Sequence, residues 1–238
     1  MPTNEYGQPI GEPIPGWSPR PPPVGTPVVG RHCRVERLHP SRHLEQLWAV
    51  VADDEPSAWT YMFYGPFESK AAFQGWLEAA CAQSDPYYYA IVDLATSTVK
   101  GFASYLRIEP NAGVIEVGSI YFSRALRRSV AATEAMYLMM RHAIEDMGYR
   151  RYEWKCDSLN APSRRAAERL GFIFEGIFRQ AVVYKGRNRD TAWFSIVDRE
   201  WPEVKRALEH WLDPGNFNVD GSQKTPLADL RTHSEKNL

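Results

Sequence analysis

The chain has 238 residues, of which 44% are hydrophobic and 24% charged, and its formal net charge is −1. This composition is typical of a globular protein and excludes a fully disordered or fibrous chain. Because the charges balance, neither nucleic acid nor an anionic membrane surface is an expected partner. The sequence has no apolar run of transmembrane length, and we expect no secretory signal.

The three cysteines, Cys33, Cys81 and Cys156, lie far apart in the sequence. An odd number at wide spacing argues against a disulfide framework and against a zinc site. The six histidines also lack the spacing of metal ligands. We therefore expect a cytoplasmic protein that binds no metal.

Composition divides the chain into an arm, a body and a tail. Half of the 18 prolines lie in residues 1–30, so this arm cannot form a regular helix or a central strand. It is either a flexible leader or an extended clip, and its tryptophan favours the clip. The candidate anchors are Ile10, Ile14 and Trp17. Residues 31–212 are predicted to form one domain, followed by a mostly polar tail at residues 213–238.

Strand and helix patterns alternate along the body, as judged from the spacing of apolar residues. The predicted elements, in chain order, are a strand at 33–38, helices at 41–52 and 68–83, strands at 88–94, 99–108 and 113–122, a helix at 129–147, a strand at 151–156, a helix at 160–170, strands at 172–184 and 191–197, and a helix at 202–212. Gly118, inside a strand, indicates a bulge or a close backbone approach. This order predicts an α/β (α+β) fold with a mixed sheet rather than an all-parallel one.

A short basic loop joins the strand at residues 113–122 to the longest helix. Exposed amides and the dipole at a helix N-terminus attract anions. Small side chains at the helix start let a phosphate approach the backbone, and two arginines add charge and forked donors. These features predict a pyrophosphate site, although a plain turn with solvated arginines explains this loop equally well.

A second motif, Asn-Ala-Pro-Ser at residues 160–163, begins the next helix. Asn160 is a favourable N-cap, proline fits the first turn, and Gly171 suits the left-handed residue that follows a helix. Each of these roles is structural when taken alone. The complete order of strand, anion loop, long helix, strand, Asn-x-x-Ser and short helix carries more information.

That order resembles the GNAT superfamily of acyl-CoA-dependent N-acyltransferases, and most closely the branch of Rim-type N-terminal acetyltransferases of ribosomal proteins. The resemblance covers roughly residues 31–201 and implies a splayed, mostly antiparallel central sheet flanked by helices. The matching segments are residues 127–135 (RRSVAATEA), 160–163 (NAPS) and 170–176 (LGFIFEG), Arg179, and residues 198–201.

The resemblance implies acetyl-CoA, or a related acyl-CoA, as co-substrate. The pyrophosphate is expected at residues 127–133, and the pantetheine amides along the strand backbone at residues 120–122. Val130 stands where the family usually has glycine, and its β-branched side chain crowds the loop. The expected cofactor contacts are Ile120, Tyr121, Phe122, Arg127, Arg128, Ser129, Val130, Ala131, Ala132, Thr133, Asn160 and Ser163.

Three residues are expected to act in catalysis. The resemblance places Glu116 near the acceptor, where a carboxylate can take the proton of the attacking amine, directly or through water. The alternative for Glu116 is a carboxylate paired with a cation on the sheet face. The resemblance also places Asn160 near the pantetheine arm and Ser163 near the thioester sulfur, as proton donor to the leaving thiolate. Cys156 is not needed as a nucleophile, because the amine attacks directly in a ternary complex.

The expected acceptor is a primary amine, either a small molecule or a protein N-terminus. Several aromatic residues either belong to the core or line the acceptor cleft, namely Trp59, Tyr61, Phe63, Tyr64, Phe67, Tyr87, Tyr88, Tyr89 and Trp154. The charged segment at residues 185–190 is either a solvated hairpin tip or a contact for an acidic substrate or partner chain.

Two other functions compete with this one. The departure at Val130 keeps open a non-catalytic CoA-binding or assembly module on the same fold. A nucleotide-dependent phosphotransferase is disfavoured, because the sequence lacks a glycine-rich P-loop and a magnesium site. A homodimer is an open alternative to a monomer.

Overall fold

The computed structural model describes residues 1–231 as one eight-stranded sheet with helices on both faces. The strands are β1 (Val28–Val29), β2 (Cys33–Arg37), β3 (Tyr87–Asp93), β4 (Thr98–Glu109), β5 (Val114–Phe122), β6 (Arg151–Asp157), β7 (Ile173–Tyr184) and β8 (Arg187–Val197). The helices are α1 (Pro40–Ala52), α2 (Lys70–Cys81), α3 (Val130–Arg141), α4 (Ala161–Leu170) and α5 (Trp201–Leu212).

Within residues 1–231 the strands lie in the order β1-β2-β3-β4-β5-β6-β8-β7, and only β5 and β6 pair in parallel. Strand side chains alternate between two faces, and each face has its own apolar core. Helices α1 and α2 cover one, the α1/α2 face. Helices α3, α4 and α5 cover the other, the α3 face. The predicted mixed, mostly antiparallel sheet flanked by helices is confirmed.

Some predicted boundaries differ from those of the structure. Strand β8 begins at Arg187, because Lys185 and Gly186 both adopt positive φ, at 47° and 71°. A two-residue turn of this kind continues the hairpin ladder without a loop. The long predicted helix is α3 followed by a π-helical turn, His142–Asp146. The two-residue edge strand β1 was not predicted, because it lies in the proline-rich arm.

The arm docks on its own chain through Trp17. Its indole Nε1 donates a hydrogen bond of 2.8 Å to the carbonyl of Asn111, and the Arg150 guanidinium lies 5.7 Å from its ring. The expectation for Ile10 and Ile14 is wrong, since they are 45% and 48% exposed. The hydrogen bonds of the backbone before Trp17 stay within the arm, so nothing draws these two residues onto the domain.

Part of the predicted polar tail also packs against the domain. Leu227 is buried in the core beside α5, and the buried Asn216 donates from Nδ2 to the carbonyls of Trp211 and Thr225. Residues 232–238 of that tail lie outside the described residues. Within residues 1–231, no helix is both long and apolar enough to cross a membrane.

A buried carboxylate on α3 fastens the segment that leads into β2. Glu134 accepts the backbone N–H groups of Arg31, His32 and Cys33 at 2.8, 2.6 and 2.8 Å. A Cβ atom at Gly30 would overlap this carboxyl group, so the approach requires glycine. The contact holds the edge of the sheet against the helix whose N-terminus borders the candidate site.

Replacing Glu134 by glutamine should destabilise the fold. The Glu134→Gln side chain presents an NH₂ group to backbone donors and weakens charge-assisted hydrogen bonds, so we expect a loss of about 2–4 kcal/mol in the free energy of unfolding. Urea unfolding at pH 7 measures this loss. The matched control is Glu168→Gln on the exposed side of α4, which should stay within about 0.5 kcal/mol. Equal stability of the two variants would contradict the role of Glu134.

Candidate active site

The central feature of the site is the place where two neighbouring strands part. Strands β5 and β6 pair as far as Val117 with Trp154, after which β5 continues for five residues and β6 for three without pairing with each other. We call this opening the splay. Its two facing edges carry backbone N–H and C=O groups that the sheet does not use, and such edges can pair with an extended ligand.

The end of β5 exposes its backbone to the splay because its side chains are fixed elsewhere. Ile120 and Phe122 pack against the α3-face core, while Tyr121 is buried in the α1/α2-face core. The register with β4 slips after Gly118, and Ser119 in the resulting bulge has a φ of 50°. The bulge indicated by Gly118 is therefore present, and it bends β5 at the start of the splay.

Helix α3 begins directly after β5 and supplies an anion site. Ser129 is its N-cap, and Ser129 Oγ accepts the amide N–H of Ala132 at 3.1 Å. The amides of Val130 and Ala131 lie in the first turn, where no carbonyl of the helix can reach them. Arg128 is exposed in the left-handed region with a φ of 61°. The helix start thus offers two amides, a positive dipole end and a nearby cation to an anion.

A cavity of about 400 Å³ lies beside this helix start. It is lined by Arg31, His32, Asp93, Leu94, Ala95, Ser129, Val130 and Ala131. Its volume falls in the range of small-molecule sites, roughly 300–1,000 Å³. Val130, the departure from the family pattern, lines the cavity, so its side chain leaves room beside the turn.

Arg127 and Tyr121 join the end of β5 to helix α1. Arg127 Nε donates to the carbonyl of Phe122 at 2.8 Å, and its Nη2 forms an ion pair with the buried carboxylate of Asp54. The Tyr121 hydroxyl lies 3.0 Å from the same carboxylate and 3.1 Å from the carbonyl of Val50. Arg127 therefore keeps Nη1 for the predicted pyrophosphate contact. The Tyr121 proton is engaged within the fold and is not available to a thiolate.

Farther along α3, Thr133 points away from the helix start. Its Oγ1 accepts a hydrogen bond of 3.1 Å from Arg169 Nη1 on α4. Thr133 is buried, as are Ala131 and Ala132 beside it. These three side chains therefore pack inside the fold, and the predicted phosphate contact depends on the backbone amides at the helix start.

Asn160 and Ser163 lie at the start of α4, next to β6. Asn160 Oδ1 accepts the Ser163 amide at 3.1 Å, so the predicted N-cap is present. Ser163 Oγ also accepts a hydrogen bond of 3.0 Å from Trp154 Nε1, a partner that the sequence motif did not reveal. Since Trp154 is the last residue of β6 that pairs with β5, Ser163 lies at the start of the splay. Its own hydroxyl hydrogen is not used by either bond and is directed at the Cys156 sulfur, where it partly offsets the effect of burial on the pKa of that thiol.

Cys156, the cysteine next to this helix start, is not an activated thiol. Burial raises the pKa of the Cys156 thiol, so the reactive thiolate is disfavoured at neutral pH. Its side chain belongs to the α3-face core. This environment agrees with a small buried hydrophobe and with the expectation that Cys156 is not a nucleophile.

Glu116 lies on the α1/α2 face of β5 in a compact charged group. It is 5% exposed, with Oε2 3.0 Å from Lys155 Nζ and 3.6 Å from Arg107 Nε. Lys155 Nζ also lies 2.5 Å from Glu153 Oε2 and 3.8 Å from the centre of the Trp193 ring. The parallel register places Glu116 directly opposite Glu153, so both carboxylates meet the ammonium between them.

Burial raises the pKa of Glu116 to about 7, while Lys155 and Arg107 oppose the rise. A carboxyl group that titrates near neutral pH is well matched to accepting a proton there. A Cβ atom at Gly118 would lie 2.9 Å from Leu106 Cδ2 and 3.4 Å from Glu116 Oε1. Glycine at this position therefore leaves space between the carboxylate and the splay.

The β7–β8 hairpin reaches across to the segment between α1 and α2. Lys185 Nζ donates to the carbonyls of Trp59 and Gly65, both at 2.8 Å. The hydroxyl of Tyr184 donates to Asp157 Oδ2 at 2.8 Å, at the end of β6. The hairpin thus ties the open end of β6 to this segment. The tip is not merely solvated, because Lys185 has partners within the chain.

The aromatic residues divide between core and surface. Trp59 is buried and stacks on Tyr121, with ring centres 4.7 Å apart. Tyr88, Tyr89 and Trp154 are buried as well. Phe63, in contrast, is 58% exposed beside the hairpin. In the described part of the chain, no group of three or more His, Cys, Asp or Glu residues could hold a metal ion.

Comparison with known proteins gives consistent matches. A family model described as an acetyltransferase (GNAT) domain matches residues 34–173. A GCN5-related N-acetyltransferase from Brucella melitensis is 46% identical and has a TM-score of 0.90, with 92% of this chain and 99% of that chain covered. No curated protein matches the sequence.

Two further structures are similar at greater distance. One, described as a probable acetyltransferase of the GNAT family from Chromobacterium violaceum, is 41% identical with a TM-score of 0.77, covering 82% of this chain and 97% of that chain. The other is an acetyl transferase from Salmonella typhimurium that modifies the N-terminal serine of a ribosomal protein. It is 18% identical with a TM-score of 0.61, covers 71% of this chain and 96% of that chain, and shares the fold only.

Replacing Ser163 by alanine should remove the hydrogen bond that Trp154 donates to it and so destabilise the fold. The buried indole N–H loses its acceptor, so we expect the free energy of unfolding to fall by about 1–3 kcal/mol. Urea unfolding followed by tryptophan fluorescence measures the change. Ser163→Thr keeps the hydroxyl and is the control. An alanine variant as stable as the wild type would show that the bond adds nothing.

Proposed function

Since the chain belongs to the GCN5-related N-acetyltransferase (GNAT) family, we propose that it transfers an acetyl group from acetyl-CoA to a primary amine. The observation that supports this reaction best is the splay, with the start of α3 beside it. An unpaired strand edge and a helix N-terminus, side by side, suit a ligand that combines amide groups with phosphates.

The residues present fit such a co-substrate, which would supply the acetyl group as a reactive thioester. The amides of Val130 and Ala131, with Arg128 beside them, would hold the pyrophosphate. The backbone of residues 120–122 would pair with the amides of the pantetheine arm. Valine in place of glycine at position 130 leaves the amide donor in place, and the adjacent cavity gives the ligand room.

The chemistry requires proton transfers at two places. As the amine nitrogen bonds to the acetyl carbon, its proton passes to Glu116, directly or through one water. As the carbon–sulfur bond breaks, the Ser163 hydroxyl donates its hydrogen to the sulfur and regains one from solvent. Asn160 contributes by fixing the first turn of α4 through its cap. No covalent bond to the protein forms, which agrees with the buried state of Cys156.

The proposed acceptor is a small-molecule amine or a protein N-terminus. The distant Salmonella relative acts on an N-terminal serine, which supports inclusion of peptides among the acceptors. A cytoplasmic location is proposed with it, because Cys33, Cys81 and Cys156 are all free thiols.

The direct test combines binding and turnover. Acetyl-CoA should raise the melting temperature by mass action, and a panel of amines and peptides should release free CoA thiol. Stabilisation by acetyl-CoA with no thiol release from any acceptor would favour a non-catalytic CoA-binding module. Absence of both would reject the proposal.

Arg128→Gln should weaken binding of acetyl-CoA. Loss of one charged contact to phosphate is worth about 1.5–3 kcal/mol, so we expect the Kd to rise about tenfold or more. Isothermal titration calorimetry measures the change. The matched control is Arg124→Gln, in the same loop, where the guanidinium pairs with Glu55 at 3.5 Å. If both variants bind like the wild type, Arg128 does not contact the phosphates.

Glu116→Gln should lower kcat by about 100-fold or more at pH 7, since a positioned general base contributes about that much. In the wild type, kcat should fall as the pH drops through the pKa of Glu116, about 7, because the carboxylate becomes protonated. In the variant, kcat should no longer fall in this way as the pH drops through about 7. Its activity should rise at high pH, where the free amine accumulates. An unchanged Kd for acetyl-CoA controls for folding. A variant with the same pH dependence of kcat as the wild type would show that Glu116 is not the proton acceptor.

A further inference from the structure

One arginine of β8 is buried without an anionic partner. Arg189 is 7% exposed, and its guanidinium carbon lies 5.0 Å from the centre of the Phe63 ring and 5.8 Å from that of Tyr184. Its Nε is buried with no hydrogen-bond partner. Among residues 1–231, no carboxylate forms an ion pair with it. The nearby carboxylate of Asp157 instead accepts from the Tyr184 hydroxyl and the Leu159 amide.

The guanidinium is only partly compensated, because Nε is buried without a partner and the Nη atoms depend on the solvent that they still reach. Buried charges are normally paired, since taking an ion out of water costs several kcal/mol. Contact with aromatic faces offsets only a small part of that cost. The fold therefore retains a cation whose compensation is absent from the described chain, and a planar guanidinium suits a carboxylate bound through two parallel hydrogen bonds.

The position of Arg189 relates it to the reaction. Strands β6 and β8 end their pairing at Asp157 and Thr191, and Arg189 lies two residues beyond, on the side of β8 that it shares with Thr191 and Trp193. Trp193 contacts Lys155, the ammonium that holds Glu116. Four residues of strand separate Arg189 from Trp193, about 13 Å. Arg189 and Glu116 thus lie on the same face, at opposite ends of the splay.

We propose that Arg189 binds a carboxylate of the acceptor, so that the acceptor is an amine that also carries an acidic group. This inference rests on the proposed function and assigns its substrate class. The amine lies at the splay, within reach of Glu116, and the carboxylate lies at the Arg189 guanidinium, beside the rings of Phe63 and Tyr184, which contact each other at 5.5 Å. Two sources share this chemistry, namely a small amino carboxylate and an N-terminal peptide with an acidic side chain.

The first experiment compares acceptors matched in length. The pairs are 6-aminohexanoate with hexylamine, and the peptide Ser-Asp-Ala amide with Ser-Asn-Ala amide. We expect kcat/KM to favour the acidic member of at least one pair by about tenfold or more, as the loss of a charged contact predicts. The pair that shows the preference identifies the source.

The variants assign that preference to one residue. Arg189→Gln should abolish it and leave kcat/KM for the uncharged acceptor unchanged, and Arg189→Lys should restore it only in part. Arg187→Gln, on the exposed part of the same hairpin, is the matched control and should retain the full preference. Retention of the preference in Arg189→Gln would overturn the proposal.

A stability measurement separates this role from a structural one. Without acceptor, Arg189→Gln should melt at or above the wild-type temperature, because it removes an unpaired buried charge. A lower melting temperature together with an unchanged acceptor preference would assign Arg189 to the fold. Transfer to both members of each pair at equal rates overturns this proposal but leaves the acetyltransferase function standing. Absence of transfer to all four acceptors, with no stabilisation by the acidic ones, overturns this proposal, and the acetyltransferase function falls with it only if acetyl-CoA gives no stabilisation and the wider amine panel releases no thiol.

Discussion

The structure depends on the separation of two parallel strands that begin as neighbours. The bulge after Gly118 bends β5, and the ion pair between Arg127 and Asp54 ties its end to the turn that follows α1. The end of β6 stays with β8 and is fastened to the hairpin through Asp157 and Tyr184. Each strand is thus held by a different neighbour. The backbone N–H and C=O groups that β5 and β6 no longer share along the splay are therefore available to a ligand.

Much of the fold could be predicted from local patterns. Apolar spacing gives most elements, and the predicted N-cap Asn160 begins α4 as its sequence context indicates. Membership in the GNAT family is confirmed, whereas the acetyl transferase of a ribosomal protein from Salmonella typhimurium shares only the fold, at 18% identity. Edge strand β1 escaped prediction because only two residues of the proline-rich arm form it. A pairing of so few residues leaves no periodic pattern in the sequence.

The same limit applies to the candidate site. Lys155 was not singled out, since its importance arises from the register that places β6 beside Glu116. Trp154 was an ambiguous aromatic until its indole was seen to donate to Ser163. Arg189 was one charge in a hairpin that is polar in sequence, and only burial distinguishes it from Arg187. Residue type and spacing identify candidates, and three-dimensional pairing decides among them.

Glu116 shows why the two sequence interpretations of a buried carboxylate need not compete. It is paired with a cation on the sheet face, as the structural interpretation holds, through Lys155 at 3.0 Å. Pairing alone would lower its pKa and make it a weak base. Burial is the larger effect, and it raises the pKa to about 7 despite Lys155 and Arg107. The cation limits the rise caused by burial, so the carboxylate is ionised in part at neutral pH and can still hold a proton.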